Sequence, residues 1–249
     1  MFGLDQTIAH LSNGAALLLV AGVAILLGLR HATDPDHLAA VTTLIASKRA
    51  QTKRLAARLG LSWGAGHATS LFAFGLPIVL FRSYLPESVQ EGAETAVGTL
   101  IVALAVALLV RWRRGVFHLH AHAHEEATHA HLHSHSQSAS HGHRHTVRAR
   151  SPLQAYAIGL VHGMGGSAGV GVLLLASIRD HAVAVAALGI FALFTAISMA
   201  LLSTGFGLTL SSARVRDSFH RLAPALGVAS LAFGVWYALG ALAVAPYYF

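Results

Sequence analysis

The chain has 249 residues, of which 55% are hydrophobic and 11% are charged, with a formal net charge of +7 and no cysteine. An average soluble domain has about 25% charged residues, so this chain has too little charge to cover a water-facing surface. The composition therefore excludes a soluble enzyme, a disordered chain and a nucleic-acid binder. The lack of cysteine excludes disulfides, thiolate metal ligands and a thiol nucleophile.

Six apolar stretches of the chain contain no Asp, Glu, Lys or Arg, and five of them are 23 residues or longer. Because about 20 apolar helical residues cross the hydrocarbon core of a bilayer, the stretches predict an all-α, multi-pass protein of the cell membrane with six transmembrane helices. No basic region precedes the first stretch, so we expect it to remain as a span. The predicted spans are about 13–46, 59–81 and 94–112 in a first half, 1–112, and about 152–178, 182–210 and 222–245 in a second half, 151–249.

Basic residues are distributed unequally between the predicted loops. Fourteen of the 17 Lys and Arg lie in the loops after spans one, three and five, and only Arg82 and Arg179 lie in the loops on the other side. The positive-inside rule then places both termini outside and the long loop 113–150 in the cytoplasm. The outer side is acidic, either as a vestibule that concentrates cations or as ordinary solvated loops. Its acidic residues are Asp5, Glu87, Glu91, Glu94 and Asp180.

Span one turns polar between His31 and His37. A straight helix over 13–46 would reach about 51 Å, well beyond a hydrocarbon core of about 30 Å, so we predict a tilt or a break. Pro35 is the expected breaking point because it lacks a backbone N–H. On an ideal helix His31, Asp34 and His37 share one face, whereas Asp36 joins them only if the helix kinks at Pro35.

Imidazoles and carboxylates on neighbouring turns predict a site for a divalent transition metal such as Ni, Co, Cu or Zn. Ionisable side chains inside a span are costly and usually mark a transport pathway. The alternative is a helix-end cap, in which Asp34 and Asp36 pair with Arg30 and the histidines are incidental.

Two more histidines lie inside predicted spans, His67 in span two and His162 in span four. Small residues surround both of them, which favours close helix packing. They either complete or relay the metal bound in span one, or they are buried histidines bonded to backbone carbonyls.

The two halves of the chain show a weak internal repeat. An offset of 131 residues lays Gly28-Leu29-x-His31 on Gly159-Leu160-x-His162, and an offset of 132 places Met199 where His67 stands. Because spans one and four run in opposite directions, the pattern predicts a 3+3 inverted repeat with its site where the halves meet.

The loop 113–150 contains 11 of the 18 histidines, at alternating positions that do not stack on one helical face. We expect a disordered segment whose neutral imidazoles collect metal with little selectivity; a polar spacer without metal function is the alternative. These histidines are His118, His120, His122, His124, His129, His131, His133, His135, His141, His143 and His145.

The stretch from His31 to His37 resembles the signature of the nickel/cobalt transporter (NiCoT) family. That signature is a His, then four residues that include an Asp, then Asp-His. Pro35 stands where the family usually has Ala. Gly66-His67-Ala68-Thr69 resembles the family's second motif. The chain is similar to compact members of the broader NicO superfamily, which includes urease-accessory-type permeases and efflux proteins with His-rich loops. The resemblance implies metal ligands at His31, Asp34, Asp36, His37 and His67.

We therefore expect a secondary transporter or permease for Ni²⁺ or Co²⁺ and not an enzyme. No phosphate-binding loop motif occurs, so ATP is not an expected partner, and no cofactor is expected. The expected partners are the bilayer and divalent metal ions, with a homo-oligomer left open. Efflux instead of uptake, an intramembrane metalloenzyme, and a metal-delivery partner for urease or hydrogenase maturation are the alternatives.

Overall fold

The computed structural model describes residues 2–46, 53–82, 86–114, 119–124, 127–132, 151–165 and 168–246. Long helices dominate these residues, and one short hairpin is present in the segment after the fourth helix. The elements are α1 (Phe2–His31), α2 (Pro35–Ala46), α3 (Lys53–Phe81), α4 (Glu87–Arg113), β1 (Leu119–His124), β2 (Ala127–Leu132), α5 (Pro152–His162), α6 (Ala168–Ala176), α7 (His181–Ser211) and α8 (Ala213–Ala241).

Four of the described helices, α3, α4, α7 and α8, are long and apolar enough to cross a membrane. The pair α1 and α2 is a candidate for a fifth crossing, since Ala16–His31 and Pro35–Leu44 meet at 49°. The bend lies at Pro35, where the sequence predicts a break in the helix. By length and composition the described residues thus give four crossings, or five if the bent pair is one span. Helices α5 and α6, with 11 and 9 residues, are each shorter than a crossing requires.

Several helices extend beyond the predicted spans. Helix α3 begins at Lys53 instead of residue 59, and α8 begins at Ala213 instead of residue 222. Basic residues mark the membrane boundary but do not end a helix, because Lys and Arg are good helix formers whose heads can reach water. Helix α4 likewise begins at Glu87, so Glu87, Glu91 and Glu94 are helical and not loop residues.

Glycines allow α3 and α5 to pack closely. A Cβ on Gly66 of α3 would collide with the carbonyl group of Tyr156, and a Cβ on Gly159 of α5 would collide with that of Trp63. Small residues at such contacts let two helix backbones approach within a membrane. Helix α3 also packs against α7, while α4 packs against α8 and α1 against α7. The contact between α3 and α5 places the C-terminal end of α5 beside the middle of α3.

The hairpin lies in the His-rich segment. Strands β1 and β2 pair antiparallel, with His120 opposite His131 and His122 opposite His129. The expectation of a segment without regular structure does not hold for these strands, because the alternation of His with Ala and Thr has the period of two that is typical of a strand. Other predicted loop histidines lie outside the described residues: His118, His133, His135, His141, His143 and His145.

Candidate metal centre

The break between α1 and α2 presents polar side chains to the interior. Helix α1 ends at His31, and Asp34 N–H donates to the carbonyl oxygen of His31 over 3.1 Å before α2 begins at Pro35. Pro35 has no backbone N–H to satisfy, so it can start the new helix without cost. His31 is therefore the last residue of one helix, and Asp36 and His37 lie in the first turn of the next.

A second break brings another histidine to the same place. Helix α5 ends at His162, and Gly163 N–H donates to the carbonyl oxygen of Gly159 over 2.9 Å. Residue 163 must be small, because a Cβ there would lie 2.5 Å from the carbonyl oxygen of His67. The glycine lets the end of α5 approach α3, and His162 faces the cluster formed by α1, α2 and α3.

Four imidazole rings converge at the two breaks, with His37 in the middle. Its ring centroid lies 4.5 Å from that of His31, 4.8 Å from that of His67 and 4.6 Å from that of His162. All four histidines are buried, with at most 3% of their surface exposed. The structure thus places together histidines from three distant segments of the sequence and from four helices.

The potential metal ligands form two groups of three. One group is His31, His37 and His67, the other is Asp36, His37 and His162, and within each group one ligand atom per residue lies within 4.8 Å of the others. In the first group the Nε2 atoms of His31 and His67 are 3.0 Å apart. Two neighbouring ligands on an octahedral ion, with bonds of about 2.1 Å, are separated by about 3 Å.

The two aspartates have different surroundings. Oδ1 of Asp36 lies 3.0 Å from Nδ1 of His37, and Oδ2 of Asp36 lies 3.6 Å from Nε2 of His162. Asp34 lies behind His31, with its Oδ2 3.2 Å from His31 Nδ1 and its Oδ1 3.4 Å from Nη2 of Arg30. Asp36, which was expected to join His31 and His37 only if the helix kinks at Pro35, lies in one of the two groups. Asp34 is in neither group and contacts the ring of His31 instead.

Carboxylates fix the orientation of two rings. An ionised carboxylate can only accept a hydrogen bond, so Nδ1 of His37 donates to Asp36 and Nδ1 of His31 donates to Asp34. Each neutral ring then keeps its lone pair on Nε2. Carboxylates that orient metal-binding histidines in this way are a recurrent feature of metal sites.

Several buried polar atoms at the centre have no hydrogen-bond partner in the described structure. These atoms are Asp36 Oδ2, His37 Nε2, His67 Nδ1, His162 Nδ1 and His162 Nε2. An unsatisfied buried polar group costs about 1–3 kcal/mol. An ordinary buried histidine would donate a hydrogen bond to a backbone carbonyl, but neither ring nitrogen of His162 has such a partner in the described structure. The helix-end cap accounts for the pair of Arg30 and Asp34, but not for Asp36, which faces histidines.

Trp63 was not identified from the sequence as a residue of the site, and Glu94 has surroundings that differ from those of a loop residue. The indole of Trp63 packs against the centre, with ring centroids 6.0 Å from His37 and 5.7 Å from His162, and its Nε1 has no hydrogen-bond partner. Glu94 is buried in α4, where Gln90 donates to it over 3.1 Å, and so it is not a solvated loop residue. The available signal for Trp63 was a tryptophan in the same charge-free stretch as His67, four residues before it.

Comparisons with known proteins match the chain to a nickel-transport family. The family model for NicO, described as high-affinity nickel-transport protein, matches residues 17–241. The chain is also similar to the urease accessory protein UreH of Bacillus sp. (strain TB-90), with 26% identity over 226 residues that cover 89% of this chain and 91% of the relative. No solved structure gives a significant match.

Proposed function

This chain belongs to the NicO family of high-affinity nickel-transport proteins, and from that premise we propose that it carries Ni²⁺ or Co²⁺ across the cell membrane through the buried metal centre. The proposed ligands are His31, Asp36, His37, His67 and His162. Asp34 acts through His31, whose ring it orients. An enzymatic role is not proposed, because the family transports nickel.

The observation that carries the proposal is the convergence of four buried histidines and one carboxylate at two helix breaks. Such groups are costly inside a membrane unless they serve a pathway. The C-terminal ends of α1 and α5 both meet there, and the negative end of each helix dipole favours a cation. Imidazole nitrogens replace the water of a borderline ion such as Ni²⁺ or Co²⁺, whereas Mg²⁺ and Ca²⁺ prefer oxygen ligands.

We also propose six spans arranged as a 3+3 inverted repeat, in which α1 with α2 corresponds to α5 with α6. Matching features support it: His31 and His162, equivalent at an offset of 131, are the last residues of α1 and α5. The carbonyl oxygens of Leu29 and Leu160 each accept a hydrogen bond of 2.7 Å from a serine of the opposite half, Ser198 and Ser70 respectively.

The proposed orientation has both termini outside and the His-rich segment in the cytoplasm, following the distribution of basic residues. In this orientation the segment collects metal at the inner mouth. The direction of transport decides whether it gathers ions for export or holds ions that have entered.

The experiment compares cellular nickel with and without the gene, at limiting and at toxic external nickel. Uptake raises cellular nickel at limiting supply, whereas efflux lowers it and protects cells at toxic supply. His181→Ala is the matched control, because His181 is an exposed histidine at the start of α7. Unchanged nickel and cobalt content in both conditions, with the protein present in the membrane, would contradict the proposal.

A second candidate function follows from the similarity to the urease accessory protein UreH. In that role the chain supplies nickel for the maturation of urease. A transporter and a delivery partner are distinguished by flux, since a delivery partner without transport binds nickel but does not move it across a sealed membrane.

Removing the His-rich segment tests its proposed role. Deletion of residues 118–145 is expected to change metal tolerance or apparent affinity while leaving part of the transport, because the buried ligands remain. Selectivity for nickel over other divalent ions is expected to stay, since the fixed geometry of the buried ligands sets it. The measurement is radioactive nickel flux in cells with competing metals. Complete loss of flux in a correctly inserted protein would place the segment in the permeation path instead.

A further inference from the structure

We propose that the metal centre consists of two overlapping subsites that share His37, and that the transported ion is passed from one subsite to the other. Subsite A is His31, His37 and His67, and subsite B is Asp36, His37 and His162. The inference rests on the proposed function and adds an internal step to it.

The distances favour two subsites over one site. Ligand atoms lie within 4.8 Å of one another inside each group of three, and the five residues form two such groups instead of one. Opposite ligands on a single ion with bonds of about 2.1 Å are about 4.2 Å apart. A separation of 4.8 Å exceeds this spacing, so each group of three binds one ion after its ligand atoms move together by a few tenths of an ångström. A single ion bound to all five residues requires a larger movement, because the five residues do not form one such group.

His37 restricts the centre to one ion at a time. Its Nδ1 is engaged by Oδ1 of Asp36 over 3.0 Å, so only Nε2, which has no partner in the described structure, is free to bind metal. One nitrogen lone pair binds one ion. Occupation of subsite A therefore excludes occupation of subsite B, and an ion can exchange the other ligands while it stays on His37.

The two subsites differ in charge and in the helices that build them. Subsite A has three imidazoles from α1, α2 and α3, whereas subsite B contains the carboxylate of Asp36 and takes His162 from α5. An ion that moves from A to B passes from the first half of the chain to the contact between the halves. The carboxylate also replaces one nitrogen ligand with oxygen.

Nickel binding to the purified full-length protein in lipid nanodiscs tests the inference. Equilibrium dialysis gives stoichiometry and affinity, and X-ray absorption on bound nickel gives the number of imidazole ligands. The variants are His67→Gln, which impairs subsite A, His162→Gln, which impairs subsite B, and the double variant. His181→Gln is the control, and thermal unfolding verifies that each variant is folded.

Two subsites predict one Ni²⁺ per chain in the wild type. Each single variant is expected to bind one Ni²⁺ with an affinity less than about tenfold below that of the wild type. The double variant is expected to bind Ni²⁺ more than about a hundredfold more weakly than the wild type. Nickel flux in proteoliposomes is expected to fall in both single variants, because the ion can no longer be passed on. Two ions per chain, or single variants that bind as weakly as the double variant, would overturn the inference.

The outcomes separate this inference from the proposed function. If the wild type and the variants bind nickel with the expected affinities but the wild type shows no flux, the two subsites are supported and the transport function is contradicted. If the wild type transports nickel and the single variants bind as weakly as the double variant, the transport function stands and the two subsites fail.

Discussion

His37→Ala is expected to remove nickel binding and nickel transport together. His37 contributes to both ligand groups, and its ring lies between those of His31, His67 and His162. Changes behind a ligand typically lower metal affinity 10–100-fold, so loss of the shared ligand is expected to lower it by more than about a hundredfold. Equilibrium dialysis with nickel on the purified protein measures the change.

Two further variants make this result interpretable. His37→Gln fills more of the space of the imidazole than alanine does, so loss of binding in both variants is not due to a cavity alone. His181→Ala removes an exposed histidine far from the breaks and is expected to bind as the wild type does. Wild-type affinity in a folded His37→Ala protein would contradict the assignment of the centre.

Gly159→Ala is expected to destabilise the protein and to abolish transport, although it replaces none of the proposed ligands. The new Cβ would collide with the carbonyl group of Trp63, so α5 must move away from α3. Overpacking of this kind costs about 1–3 kcal/mol of unfolding free energy. The movement also displaces His162, which ends α5, from Asp36. Thermal unfolding and nickel flux of the same preparation measure both effects.

Gly22→Ala is the matched control for the glycine prediction. Gly22 is also in a membrane helix, but no atom lies within 4 Å of a Cβ added there. Alanine is the better helix former, so the thermal stability of Gly22→Ala is expected to equal or exceed that of the wild type. If Gly159→Ala unfolds and transports like Gly22→Ala, the close contact of α3 and α5 does not position the centre.

Charge patterning identifies most of the helices, because a helix inside the bilayer excludes ionised residues that have no partner. Four of the stretches without charge lie largely within α3, α4, α7 and α8. The break at Pro35 also follows from the sequence, since proline cannot continue the hydrogen-bond ladder. The start of α3 at Lys53 does not follow from the sequence, because charged residues mark the end of the apolar region and not the end of the helix.

The roles of the two aspartates could not be predicted by helical projection. The rule of 100° per residue holds only within one helix, and α1 ends at His31 before α2 begins at Pro35. Once the helix is broken, Asp36 faces His162 and Asp34 lies against His31. The contact between Asp36 and His162 spans two distant segments, so no local pattern contains it.

The internal repeat was the signal that linked the two distant segments. The match of Gly28-Leu29-x-His31 to Gly159-Leu160-x-His162 places a histidine at the same position of both halves, and the structure puts both at helix ends. The sequence could not show that these ends meet, because the glycine contacts that bring α5 against α3 depend on the packing of whole helices.

Nickel flux into sealed liposomes that contain only this protein tests most directly whether the buried histidines form a transport site. An entrapped metal-sensitive dye reports the entry of Ni²⁺ or Co²⁺, and Mg²⁺ serves as the ion that the ligands should reject. We expect rapid entry of Ni²⁺ or Co²⁺ with the wild type and with His181→Ala, and only background leakage with His37→Ala. Equal entry with wild type and His37→Ala, or no entry with a wild type that binds nickel, would contradict this expectation.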